Sequence, residues 1–131
     1  MARRVINPWN WQEEQGWAWG AEVSGPCRIL HTAAQGPFDA EGRLLHAGDV
    51  RGQTAATLDN LETVLAAADM SLASLVRLNV YTTDVDGLFA HYGVLASRLG
   101  AARVAPTTTM LEVTRLAIPG QLVELEGTAV D

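Results

Sequence analysis

Three glutamates in the last quarter of the chain have strand spacing. Glu112 lies in the run Thr107 to Thr114, and Glu124 and Glu126 lie in the run Leu122 to Val130. Alternate residues of a strand share a face. Glu124 and Glu126 therefore project together with Leu122 and Thr128, and Val123, Leu125 and Ala129 take the opposite face. On the first run Thr109, Leu111 and Val113 point one way, and Thr108, Met110, Glu112 and Thr114 the other. The expected sheet has one apolar face and one face that mixes carboxylates, hydroxyls and the Met110 thioether. Partial burial of a carboxylate raises its pKa towards neutrality, which suits proton transfer. The chemistry these residues can do is acid–base work on a small molecule.

The other reactive side chains offer less. Four tryptophans, Trp9, Trp11, Trp17 and Trp19, fall in the first nineteen residues. Each pair has period two and shares a face, which makes either a seal over a sheet edge or subunit boundary, or a stacking wall for a planar or cationic ligand. His31, His46 and His91 show no metal-ligand spacing, and the chain has neither an H-x-x-x-H nor a C-x-x-C motif. No cofactor is implied. Cys27 is the one cysteine, which excludes an internal disulfide and reads as a small strand residue.

These side chains need elements to hold them. Trp17 to Val23 and Arg28 to Ala33 read as two strands around a Ser24-Gly25-Pro26 turn. Asp49 can cap a helix running to about Asp69, in which Leu58, Leu61, Leu65 and Ala68 recur at helical spacing. Leu75 to Thr82 alternates as a strand. Asp84 or Asp86 starts a second helix with Leu88, Tyr92, Leu95 and Leu99 as its stripe, and Gly100 reads as its stop. The order is ββ-α-β-α-ββ, an α+β domain spanning residues 1–131. Two helices cover only one face of such a sheet, so the other face needs water or another copy.

Composition narrows the class. Apolar residues make up 48% of the chain and charged residues 18%, the balance of a globular domain. A formal charge of −6 argues against nucleic acid, whose phosphates need a basic patch. No run reaches the ~20 apolar residues that span a bilayer, and the first residues lack a signal-peptide core. No membrane partner and a cytoplasmic location are the expectation.

The run Pro106 to Leu116, containing Met110-Leu111-Glu112-Val113-Thr114-Arg115-Leu116, followed by Val123-Glu124-Leu125-Glu126-Gly127, resembles the C-terminal signature of the Rid/YjgF family. That family is also called the endoribonuclease L-PSP or enamine/imine deaminase family. Ala34-Gln35-Gly36-Pro37 resembles its Ser-Gly-Gln-x-Pro turn. Gly48-Asp49, Gln53-Thr54 and Leu58-Asp59-Asn60-Leu61 resemble its first helix, and Val76 to Asp84 its central strand. The likeness covers roughly residues 28 to 130. It implies a chorismate-mutase-like mixed sheet with two helices on one face, three subunits packed around a threefold axis with their uncovered faces inward, and small-molecule clefts between neighbours.

The resemblance also implies roles. Glu124 matches the acid that helps to position the attacking water, and its alternative role is an interface carboxylate bonded to backbone amides. Glu112 and Glu126 read as structural, as hydrogen-bond partners at the subunit interface. The arginine that clamps the substrate carboxylate in the family falls at Thr108, which offers no charge, and Arg103 on the preceding loop is the candidate replacement. Ala33-Ala34 stands for the Ser-Gly of the turn, and Tyr92 for a cleft asparagine. Thr108, Thr109, Met110, Ala34, Tyr92 and Trp17 or Trp19 are the expected ligand contacts. The expected activity is hydrolysis of a small reactive imine or enamine other than the usual 2-imino acids. The alternative is a non-catalytic small-molecule-binding or chaperone-like trimer.

Overall fold

The computed structural model describes residues 1–131. The chain runs β1 (Ala2–Ile6), β2 (Gly20–Ser24), β3 (Ile29–His31), α1 (Val50–Ala67), β4 (Leu75–Thr82), α2 (Val85–Ala90), α3 (Gly93–Ala101), β5 (Thr107–Glu112) and β6 (Val123–Val130). A four-stranded mixed sheet has the order β3-β6-β4-β5. β6 is antiparallel to both β3 and β4, and β5 runs parallel to β4. β1 and β2 form a separate antiparallel ribbon.

The Asp49 carboxylate starts α1 by accepting from the Gly52 N–H at 2.9 Å, which satisfies one of the free donors of the first turn. Leu58, Leu61 and Leu65 are fully buried on the inner stripe of this helix. They pack with Leu78 and Val80 of β4, Val123, Leu125 and Ala129 of β6, and Leu95 and Leu99 of α3. Each such side chain contributes ~1.5–3 kcal/mol relative to exposure. The helices therefore lie on the face of β6 that alternation marked as apolar.

Four expectations are corrected. The first strand pair does not exist as read: β2 begins at Gly20, and its partner is β1, not β3. β1 carries Arg3-Arg4 and is exposed along most of its length, so it has no apolar pattern to announce it. Arg3 ties the ribbon to the domain by donating to the Ala73 and Leu75 carbonyls. The second helix is two helices. At their junction the backbone switches to i→i−3 bonds, from His91 N–H to Leu88, Tyr92 to Phe89 and Val94 to His91. Gly100 is not the stop, because α3 continues to Ala101 and Arg103 takes the left-handed position at φ 53°.

The fourth correction concerns β5. Its register sets Thr108 beside Leu78 and Met110 beside Val80. Neighbouring partners share a face, so Thr108 and Met110 stand on the helix-covered side, and Met110 packs against the core. Thr109 and Leu111 occupy the bare side with Glu124 and Glu126. The bare face thus lacks the thioether and carries Leu111, which is 49% exposed.

Candidate functional site

Ala34, Glu124, Trp17, Tyr92, Thr108 and Met110, of the side chains singled out in the sequence, line two cavities at opposite edges of the sheet. The first, about 640 Å³, is lined by Ala34, Gln35, Gly36, Asn60, Gln121 and Glu124 among others. Its position follows from two amides on α1 spaced by seven residues, hence on one face. Asn60 Nδ2 donates to the Gly36 and Phe38 carbonyls at 2.8 and 2.9 Å, fixing the loop. Gln53, fully buried, donates from Nε2 to the Gly120 carbonyl at 3.0 Å and to that of His46 at 3.2 Å. Its Oε1 accepts the Leu122 N–H at 2.8 Å. That pins the chain entering β6, on which Glu124 sits. Gln35 and Leu125 exchange backbone bonds, so Ala34-Gln35 prolongs the sheet edge. Gly36 has no room for a side chain, because a Cβ there would strike the Phe38 ring. Glu124, half-buried, accepts from Gln121 Nε2 at 3.3 Å.

The second cavity, about 600 Å³, is lined by Gln15, Trp17, Phe89, Tyr92, Thr108 and Met110. The four tryptophans form one cluster behind it, with Trp17 and Trp19 edge-to-face at 4.9 Å and Trp9 and Trp11 each within 5.8 Å of a neighbour. Ala18, buried between Trp17 and Trp19, donates to the Pro106 carbonyl at 3.2 Å, so the aromatic segment is seated at the start of β5. Tyr92 Oη donates to the Gln15 carbonyl at 2.8 Å, and burial pushes its phenol pKa up. Thr108 Oγ1 donates to the Pro106 carbonyl at 2.9 Å.

The two cavities lie on one row of the sheet. Met110 pairs with Val80, Val80 with Leu125, and Leu125 with Gln35. Three strand spacings, about 14 Å, therefore separate them. One chain cannot close both around a single small molecule.

The bare face holds a third polar group. Arg77 donates to Thr109 Oγ1 at 2.7 Å. Glu126 accepts from Tyr81 Oη at 2.6 Å and from Asn79 Nδ2 at 2.9 Å. These bonds hold its carboxyl below the usual glutamate range and raise the Tyr81 phenol. His31 Nδ1 lies 3.2 Å from Thr128 Oγ1. Glu112 accepts the Val85 N–H at 3.1 Å, so Glu112 and Glu126 act as hydrogen-bond partners within the chain.

Thr108, Met110, Tyr92 and Trp17 therefore come together, as do Ala34 and Glu124, but the two sets stay apart. Trp19 supports Trp17 from behind, bonded to Gln12 Oε1 at 3.0 Å. Thr109 turns to Arg77 on the bare face. Arg103 is exposed in the turn after α3 and lines neither cavity. No cluster of three or more His, Cys, Asp or Glu is arranged to hold a metal. Gln15, Phe89, Asn60, Gln121 and Gln53 were not read as site residues. Only Gln53 and Asn60 carried a signal, a seven-residue spacing that sets both amides on one face of α1.

The family model described as Endoribonuclease L-PSP matches residues 21–131. The chain belongs to this family. It is 33% identical to YyfB of Yersinia pestis, a member of the conserved Rid protein family, over 98% of each chain with a TM-score of 0.84. A RutC family protein of Pyrococcus horikoshii is 31% identical over 77% of this chain and 78% of its own length. The YjgF gene product of E. coli shares the fold, at 23% identity and a TM-score of 0.70 over 87% of each chain. The α+β sheet with helices on one face is thus the Rid/YjgF fold. No helix is long and apolar enough to cross a membrane.

Proposed function

We propose that this Rid/YjgF protein adds water to a small reactive imine or enamine in clefts formed where copies of the chain associate as a homotrimer. The observation that carries this reading is the separation of the expected site residues into two cavities at opposite sheet edges. Each is half a site. An edge-to-edge association that sets the Glu124 cavity of one copy against the aromatic cavity of another makes a whole one. Glu124 then orients the water, the backbone near Ala34 and Gly36 faces the reacting carbon, and Trp17, Tyr92 and Met110 hold the ligand body.

The ligand is not a usual 2-imino acid. Thr108 stands where the family's clamp stands, and the aromatic cavity has no charged lining residue. Loss of a hydrogen bond to a charged group costs ~1.5–3 kcal/mol. A negative chain also gives no support to RNA cleavage, whatever the family's description. The experiment is ammonia release from imines generated in situ, with light scattering to read assembly. Rapid turnover of 2-iminopropionate would refute the substrate assignment, and a monomer with no hydrolysis of any imine would refute the site itself.

A further inference from the structure

The donors and acceptors of the aromatic cavity point to the class of its ligand, and the inference rests on the hydrolytic reading above. A hydroxyl has one proton to give and two lone pairs to offer. Thr108 has given its proton to the Pro106 carbonyl, and Tyr92 has given its own to the Gln15 carbonyl. Trp17 has spent its indole N–H on Gln15 Oε1, at 3.1 Å. Phe89 and Met110 have no donor. What the lining side chains still present is hydroxyl lone pairs, aromatic faces, a thioether and one uncommitted donor, the Gln15 amide nitrogen. An anion finds almost nothing here to bind it. A cation bearing N–H bonds finds acceptors and ring faces, in a chain of formal charge −6.

We propose that this cavity selects an N–H cation with an apolar or aromatic body and no carboxylate, so that the substrate is the iminium of a primary amine, R–CH=NH2+. The reaction is R–CH=NH2+ + H2O → R–CHO + NH4+. The water oxygen forms the new bond to carbon, the C–N electrons leave with nitrogen, and both water protons end on it. Nothing is oxidised or reduced. The reaction class that must supply this substrate is the two-electron oxidation of a primary amine, and the product to be consumed is an aldehyde.

The test begins with binding to the wild-type protein. Titration of 2-phenylethylammonium and of phenylacetate at neutral pH, followed by tryptophan fluorescence and calorimetry, compares two ligands of matching body and opposite charge. The ammonium is expected to bind at least ten-fold more tightly. Thr108→Val, which keeps the shape and removes the lone pairs, weakens the ammonium several-fold and leaves phenylacetate unchanged. Thr108→Arg reverses the preference. Equal or tighter binding of phenylacetate by the wild type, or no binding of either, overturns the proposal. Turnover separates it from the hydrolytic reading. Imines made in situ from 2-phenylethylamine and from phenylalanine are compared for ammonia release. Faster release from the carboxylated imine would sink the cavity's selectivity and leave the hydrolase standing. Selective ammonium binding without hydrolysis of either imine would do the reverse.

Discussion

The two cavities are opposites in construction. The one beside Glu124 is held by side-chain amides, with Gln53 and Asn60 reaching from α1 to carbonyls of the loops that form it. The one beside Thr108 is held by aromatic packing, and its hydroxyls point their protons into the backbone. A wall of fixed dipoles orients water and stabilises charge that develops in a reaction. A wall of rings holds an apolar body and tolerates variation in its shape. Under the proposed function, the contrast separates the task of activating water from that of choosing a ligand, and places each cavity at a different edge of the same sheet.

That division can be broken, and the largest effect is expected at Glu124. Glu124→Gln should lower turnover by ~10²–10⁴-fold with assembly intact, as read by ammonia release and light scattering. Dissociation of the assembly instead would make the carboxylate a structural group and end the functional contrast. Gln53→Leu should come next. It leaves the Leu122 N–H and the Gly120 carbonyl without their buried partner, at a cost of ~1–3 kcal/mol for each group left unsatisfied. Denaturant unfolding measures that loss, and ligand binding in the aromatic cavity should survive it. Tyr92→Phe keeps the ring and removes one hydrogen bond, a loss of ~0.5–1.5 kcal/mol. Its effect should be confined to the aromatic cavity and visible in tryptophan fluorescence on ligand titration.

The smallest effect sharpens the contrast by using the neighbouring carboxylate as a foil. Glu126 shares its face of β6 with Glu124 but is locked by Tyr81 and Asn79. Its folded pKa is depressed, so it stabilises the fold above the unfolded-state value, ~4.3. That contribution is lost as pH falls through the folded value. The stability gap between wild type and Glu126→Gln should therefore narrow on acidification below about pH 4, as followed by urea unfolding. Turnover should change little, because Glu126 serves the strand and not the cavity.

Much of this was legible in the residues. The Asp49 cap and the Leu58-Leu61-Leu65 stripe announce α1, and the alternation of Val123, Leu125 and Ala129 announces the buried face of β6. The resemblance carried by Gln53, Glu112 and Glu124 announces the family. β1 was hidden because an exposed ribbon strand needs no apolar pattern. The break between α2 and α3 was hidden because Leu88, Tyr92, Leu95 and Leu99 keep one stripe through it. Gln15 and Phe89 reach the aromatic cavity from separate segments with no local pattern to connect them.

The sequence by itself determined which residues alternate and carried the resemblance that announces the family. It did not determine which side of the sheet Thr108 and Met110 occupy. Both alternating sets of β5 mix polar and apolar groups, so neither is marked as inward by hydrophobicity. The parallel register with β4 decided that, because backbone pairing aligns Met110 with the buried Val80. Tertiary structure alone also set Thr108 on the edge strand β5 and Glu124 on the inner strand β6. β4, paired antiparallel to β6 and parallel to β5, lies between them, and no spacing along the chain encodes that distance.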